Sequence, residues 1–245
     1  MTSTGERVAI VTGGSGGIGR ASALRLAADG IAVLVHYNGG KERAEETVAA
    51  ITGSGGRAVA AGGDIAEEET ATALFDVAQR EFGGVDVLVH TAGIMPLFPI
   101  AQLDLEVFDR VQRVNVRGTF VVDKLAAQRI RPGGAIINFS TSITRLQTPA
   151  YGAYAASKGA VEAISLILAR ELRGRDITVN TVAPGPTATP LFLDGKSPEL
   201  IEQIAGNNPF QRLGTPEDIA ETVAFLAGPA RWVNGQTIFV NGGAA

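Results

Sequence analysis

Residues 9–21 read "AIVTGGSGGIGRA", an apolar run followed at once by five glycines between Gly13 and Gly19. The apolar run has the character of a buried strand, and "RASALRLAADG" (20–30) behind it has the character of a helix stopped by Gly30. A glycine-rich turn in that setting is a phosphate cradle rather than a linker. Glycine lets the backbone turn tightly and come close to a pyrophosphate, and the first N–H groups of the helix face the negative charge. Two registers fit. Gly14, Gly16 and Gly19 satisfy G-x-G-x-x-G, and Gly13, Gly17 and Gly19 satisfy G-x-x-x-G-x-G with Thr12 ahead.

Outward from this turn the same alternation repeats. Strand candidates are "VAIVT" (8–12), "AVLVH" (32–36), "AVAAG" (58–62), "VDVLVH" (85–90), "GAIINFS" (134–140), "ITVNTVAP" (177–184) and "TIFV" (237–240). Amphipathic stretches such as "KERAEETVAAITGSG" (41–55) lie between them. Continuous apolar strands separated by helices predict a doubly wound, Rossmann-type parallel sheet of about seven strands with helices on both faces. The whole chain, 1–245, reads as one domain.

The second strand bears on the choice of dinucleotide. An NAD-binding unit places an acid about twenty residues beyond the glycines, on the ribose 2′-hydroxyl. Here the strand ends "VHYNGGKER", with His36, Tyr37 and Asn38 where that acid is expected. Nothing there repels a 2′-phosphate, and Lys41 and Arg43 stand near enough in sequence to attract one. NADP(H) is therefore favoured over NAD, with Tyr37 and Asn38 placed at the adenosine ribose.

Composition narrows the classes. The 245 residues are 45% hydrophobic and 19% charged, with net charge −4 and no basic block, so neither nucleic acid nor an anionic membrane is an expected partner. With no cysteine, disulfides and thiolate metal sites are excluded, and no metal is expected. The start "MTSTGERVAIV" lacks the apolar length of a signal peptide or a membrane span, which makes cytoplasmic residence the expectation.

Within "YGAYAASKGAVEAISLILAREL" (151–172), Tyr154 and Lys158 are four apart and share a helix face. A free phenol, with a pKa near 10, is a poor acid or base at neutral pH. A neighbouring ammonium favours the phenolate, so the pair is a plausible acid/base unit.

Together these stretches resemble the short-chain dehydrogenase/reductase family over nearly the whole chain. "TGGSGGIG" (12–19) matches its cofactor turn, and Asp64, followed by Ile65, matches the residue that meets the adenine. "TAG" (91–93), "NVRG" (115–118), a serine cluster (140–142), "YAASK" (154–158), "PGPTAT" (184–189) and "VNGG" (240–243) follow in the family's order. The resemblance implies cofactor contacts from Gly13, Ser15, Gly16, Gly17, Ile18 and Gly19, and from Thr91, Ala92 and Gly93. It also implies contacts from Pro184, Gly185, Thr187 and Thr189. Tyr154 would exchange a proton with the substrate oxygen. Lys158 would lower the phenol's pKa and hold the nicotinamide ribose, and Asn115 would position a water.

Two departures accompany the resemblance. His90 and Thr91 stand where the family has asparagines, and His90 is expected to satisfy backbone groups at the end of a buried strand. The family serine falls here on Thr141, between Ser140 and Ser142. Because "SIT" (142–144) resembles the run after that serine, Ser142 is taken as the residue holding the carbonyl oxygen.

The implied function is an NADPH-dependent, reversible ketone/secondary alcohol oxidoreductase. An NAD-preferring alcohol dehydrogenase of the same family is one alternative, and a cofactor-binding sensor or scaffold without chemistry is another. The segment around 186–214 is proline-rich yet carries Leu191, Phe192, Leu200, Ile201, Ile204 and Phe210, which predicts a lid over a largely apolar substrate. "SPELIEQIAG" within it predicts a short helix capped by Ser197. Surplus apolar positions on the helices at 105–130 and 154–172, with "GQTIFVNGG" in a second interface, predict a homotetramer.

Overall fold

The structure, a computed structural model, describes residues 6–245; residues 1–5, part of the start read above for targeting signals, lie outside the described residues. Each apolar run forms a strand. β1 (Val8–Thr12) leads to α1 (Gly17–Ala28), β2 (Ala32–Tyr37) to α2 (Lys41–Gly53), and β3 (Ala58–Gly62) to α3 (Glu68–Phe82). β4 (Val85–His90) leads to α4 (Leu105–Val111), and a π-helical turn at Gln112–Arg117 joins α4 to α5 (Gly118–Arg129). β5 (Ile130–Phe139), α6 (Ile143–Leu146), α7 (Gly152–Glu171) and β6 (Thr178–Pro184) follow. α8 (Pro190–Leu193), α9 (Pro198–Gly206), α10 (Pro216–Ala227) and β7 (Thr237–Val240) complete the order.

The seven strands are all parallel in the order β3-β2-β1-β4-β5-β6-β7. Strand order reverses between β1 and β4, which opens a crevice at their carboxyl ends. One face of the sheet packs Ile10, Leu34, Leu88 and Ile136 against Leu74 and Phe75 of α3, Val122 of α5 and Leu168 of α7. The other packs Val11, Val33, Val89 and Ile137 against Leu26 of α1, Ile51 of α2 and Leu226 of α10.

Some boundaries differ from expectation. α1 starts at Gly17, three residues early, because the glycine turn runs directly into the helix; Gly30 ends it at φ +79° as expected. β5 begins at Ile130 rather than 134, taking in Pro132 and Gly133 through a register shift against β4 between Val85 and Val87. The helical run 105–130 is divided by the π turn, which no residue type there announces.

The expected short helix of the lid segment is α9, with Ser197 as its N-cap. The same hydroxyl-proline start recurs at Thr189-Pro190 and Thr215-Pro216, and each hydroxyl accepts a backbone N–H of the first turn. The segment's ends are tied together: Ala188 N–H donates to Gly214 and Gly214 N–H to Pro186, both at 2.9 Å. Among the described residues no helix is long and apolar enough to cross a membrane.

Candidate active site

The glycine turn is built by close approach. Gly13 sits at φ +68°, and a Cβ at Gly19 would lie 2.3 Å from the Gly13 carbonyl oxygen, so any side chain there would push the turn apart. Gly16 caps α1 with no side-chain hydrogen bond. The first N–H groups of the helix are thus left for an anion. Across the turn, Thr91 donates its hydroxyl to the Thr12 carbonyl at 2.6 Å, fixing the start of the β4 loop against β1.

Of the two cations after β2, only one faces the site. Lys41 pairs with Glu45 at 3.6 Å along its own helix. Arg43 lines the cleft, its guanidinium drawn over Gly40, where a Cβ would lie 2.6 Å from Nη2 and 3.2 Å from Ser15 Oγ. Tyr37 turns away; its ring covers Gly62, within 2.6 Å of where a Cβ would stand. Asn38 is exposed beside it, and neither residue lines the cleft. Asp64 also lies outside the cleft wall, where Arg113 reaches it at 2.6 Å and Glu67 as well. Burial opposes ionisation of Asp64, but the Ala66 N–H and the Arg113 guanidinium together hold its carboxyl below the usual range. The Ile65 side chain is buried in the core, so only its backbone is available to a ligand.

Tyr154 and Lys158 are both buried on α7 and both open onto the same cleft. Lys158 Nζ donates to the Phe139 carbonyl at 2.8 Å and stands 5.8 Å from the centre of the Tyr154 ring. Burial dominates and pushes Tyr154 up to about 12, opposed by a hydrogen bond with Thr141. The same burial brings Lys158 down to about 8.

Ser140, Thr141 and Ser142 all line the cleft with Tyr154; the Thr141 hydroxyl accepts from the Ile143 N–H at 3.3 Å and is the one of the three that favours the ionised phenol. Ser142 is turned to β6: its Oγ donates to the Ala183 carbonyl at 3.3 Å and accepts from Asn241 Nδ2 at 3.1 Å. Ser140 donates to Glu162 at 2.5 Å. The short helix α6 begins directly after Ser142.

Asn115 lies in the π turn with both amide hydrogens engaged. Its Oδ1 accepts from the Ile94 N–H and its Nδ2 donates to the Ile94 carbonyl, both at 2.9 Å, and also to Ser157 at 3.0 Å. It straps the loop after β4 to α7, and its Oδ1 keeps a second lone pair beyond the Ile94 bond. His90 does not serve backbone groups as expected; its Nδ1 shares a hydrogen bond with the Thr12 hydroxyl at 2.8 Å. Burial, reinforced by Lys158 and His36, lowers its pKa to about 3, so the ring is neutral at physiological pH.

These parts surround one cleft of about 570 Å³. Thr91, Ala92 and Gly93 floor it, and Pro184, Gly185, Thr187 and Thr189 form its far wall. Beyond Tyr154 it is lined by Met95, Ile143, Leu146, Tyr151, Leu191 and Phe192. Arg43 and Lys158 are its only charged lining residues among those described. Thr141 and Tyr151 were not singled out as site residues from sequence, although Tyr151 lies one helical turn before Tyr154.

A family model described as enoyl-(acyl carrier protein) reductase matches residues 13–245. A "short-chain type dehydrogenase/reductase" of Picea abies is 46% identical over 98% of this chain and 92% of its own length. An "NADPH-dependent aldehyde reductase-like protein, chloroplastic" of Arabidopsis thaliana is 46% identical over 97% of this chain and 93% of its own. The crystal structure of a short-chain dehydrogenase from Burkholderia cenocepacia J2315 in complex with NADP superposes with TM-score 0.91 at 39% identity, covering 98% of this chain and 97% of that one. With its parallel sheet, glycine turn and Tyr154–Lys158 pair, the chain belongs to the short-chain dehydrogenase/reductase family.

Proposed function

We propose that this oxidoreductase uses NADPH to reduce a neutral, largely apolar ketone or aldehyde, and runs in reverse on the alcohol. The observation that carries the reading is the joining, in one cleft, of an uncapped glycine-turned helix start and a buried Tyr154–Lys158 pair. The cradle suits a pyrophosphate, and Arg43 with Ser15 suits the 2′-phosphate of NADP, as a bidentate donor beside a hydroxyl. Relatives named as NADPH-dependent and a neighbour solved with NADP agree with that choice.

NADPH, when bound, supplies the hydride. The protein's part is orientation and proton transfer. Thr141 holds the carbonyl oxygen, and Tyr154, a neutral phenol below pH 12, gives that oxygen its proton. The ammonium of Lys158, held over the cleft by the Phe139 carbonyl, then stabilises the phenolate left behind. Reduction needs a neutral Tyr154 and a charged Lys158, both of which exist below about pH 8. Asn115 acts by strapping Ile94 in place. Among the described residues, Arg43 and Lys158 are the only cations lining the cleft, and both are assigned to the cofactor and the phenol, which favours a neutral substrate. Leu191 and Phe192 belong to the 186–214 segment, which serves as a lid hinged at the Thr187–Gly214 bridge.

Exposed apolar side chains support a homotetramer: Phe120 on α5 and Ile167 on α7 are more than half exposed, and Trp232, just before β7, is fully so. Light scattering that returned a monomer would refute that assembly. A cytoplasmic setting belongs to the same reading and is tested by cell fractionation. The activity itself is tested with a panel of neutral and anionic carbonyl compounds, followed by nicotinamide absorbance with each cofactor. Turnover of neutral apolar members with NADPH is expected. Preference for NADH, or for anionic substrates, would overturn the reading.

A further inference from the structure

Tyr154, Lys158 and Glu162 follow one another at intervals of four along α7 and so form a single stripe. The first two face the cleft. The third faces the turn that carries Thr141. One carboxylate oxygen, Glu162 Oε1, accepts from Ser140 Oγ at 2.5 Å and stands 3.2 Å from Thr144 Oγ1. These two hydroxyls lie on either side of Thr141 in the chain. Thr144 is bonded to Thr141 in turn, its Oγ1 lying 3.0 Å and its backbone N 3.3 Å from the Thr141 carbonyl oxygen. Ser140 and Ser142 are anchored to β6 through their own N–H groups, which donate to Val182 and Pro184 at 2.8 Å. The Thr141 carbonyl is held by Thr144 instead, whose one hydroxyl proton is shared between that carbonyl and Glu162, while the Thr141 hydroxyl accepts from the Ile143 N–H at 3.3 Å.

We propose that Glu162 is a positioning residue for carbonyl reduction: its carboxylate pins Ser140 and Thr144 and thereby fixes the Thr141 hydroxyl toward Tyr154. A bond to an ionised acceptor is roughly twice as strong as a neutral one, so a single carboxylate serves well as the anchor of a short turn. The proposal rests on the carbonyl-reductase reading above. It assigns Glu162 no contact with substrate and no proton to move. Its effect is geometric, and small displacements of an orienting hydroxyl are costly in rate, about 100-fold for about 1 Å.

The test compares Glu162→Ala, Glu162→Gln and Thr141→Val, singly and combined, by kcat, carbonyl KM, NADPH binding and thermal melting. Glu162→Ala should lower kcat by about 10- to 100-fold, with NADPH binding unchanged. Glu162→Gln should restore most of the rate, because its amide oxygen still accepts from both hydroxyls. In a Thr141→Val background, Glu162→Ala should cost almost nothing further, since the hydroxyl it positions is gone. If Glu162→Ala does not fold, Ser140→Ala with Thr144→Val removes the same bonds from the other side, with the same expectation. Additive losses with Thr141→Val, or an unchanged kcat, would overturn the proposal while leaving the reductase reading intact. A wild type without carbonyl-dependent NADPH oxidation would overturn both.

Discussion

The two faces of the sheet carry the same strands to different ends. On the face covered by α1, α2 and α10, side chains stay apolar to the carboxyl edge, with Val11, Val35, Val89, Phe139 and Val182 in succession. On the face covered by α3, α5 and α7, the residues two beyond Ile10, Leu34, Leu88, Ile136 and Val179 are polar and buried: Thr12, His36, His90, Asn138 and Thr181. Strand alternation makes this possible, because neighbouring residues point to opposite faces. One face stays apolar at this edge, although Thr178 and Asn180 are buried on it lower in β6. The other turns into a polar layer beneath Tyr154 and Lys158, and its cost shows in buried polar atoms without protein partners: His36 Nδ1, His90 Nε2, Asn138 Oδ1 and Asp123 Oδ1. Chemistry is concentrated where packing has been given up.

That contrast is broken most sharply by paired substitutions. Lys158→Ala, on the polar face, should lower kcat/KM by about 1,000-fold and weaken NADPH binding while leaving melting nearly unchanged. Leu226→Ala, buried on the apolar face, should do the reverse: a stability loss of about 2–5 kcal/mol with kcat nearly unchanged. Comparable kinetic losses from both would mean the faces are not functionally distinct.

A smaller effect is expected at the cradle's edge. Arg43→Ala should raise the KM for NADPH by about 10- to 100-fold, the worth of a charge-assisted bond, and leave that for NADH unaltered. Lys41→Ala should change neither, since Lys41 is engaged with Glu45. Steady-state kinetics with both cofactors checks the pair, and a larger effect at Lys41 would reassign the phosphate site.

The smallest effect probes the polar layer itself. Asp123, on α5, accepts from Asn138 Nδ2 at 2.8 Å, and burial pushes its carboxyl up to about 7 despite that bond. In the unfolded chain the group titrates near 4. The folded state therefore keeps the proton between about pH 4 and 7, so stability falls as pH rises through that window and levels off above it. Asp123→Asn removes the titration while keeping an acceptor for Asn138. It should melt at least about 3 °C higher than wild type at pH 8, with the gap closing toward pH 4. A gap that widens on acidification would show that Asp123 is held ionised.

The fold and half of the site were legible because their physics is local. The Gly13–Gly19 turn is written in backbone freedom, the strands in apolar runs, and the Tyr154–Lys158 pair in helical spacing. What sequence did not reveal depends on contacts made across the chain. Lys41 and Arg43 carry the same charge two positions apart, and only the space above Gly40 and the reach of Glu45 separate their roles. Ser140, Thr141 and Ser142 are chemically alike, and only the folded chain shows Ser140 bonded to Glu162 and Ser142 to β6. The effect of burial on both Tyr154 and Lys158 was likewise not legible, because it depends on what the folded chain packs around them.

The central claim is that Tyr154, oriented by Thr141, delivers the proton for carbonyl reduction by NADPH. The most direct measurement is single-turnover NADPH oxidation by Tyr154→Phe and Thr141→Val at saturating cofactor and carbonyl substrate. Tyr154→Phe should bind NADPH like wild type and lose about 1,000-fold or more in rate; Thr141→Val should lose about 100-fold, and Ser142→Ala much less than either. A Tyr154→Phe enzyme within tenfold of wild type, or a Ser142→Ala loss exceeding that of Thr141→Val, would contradict the account.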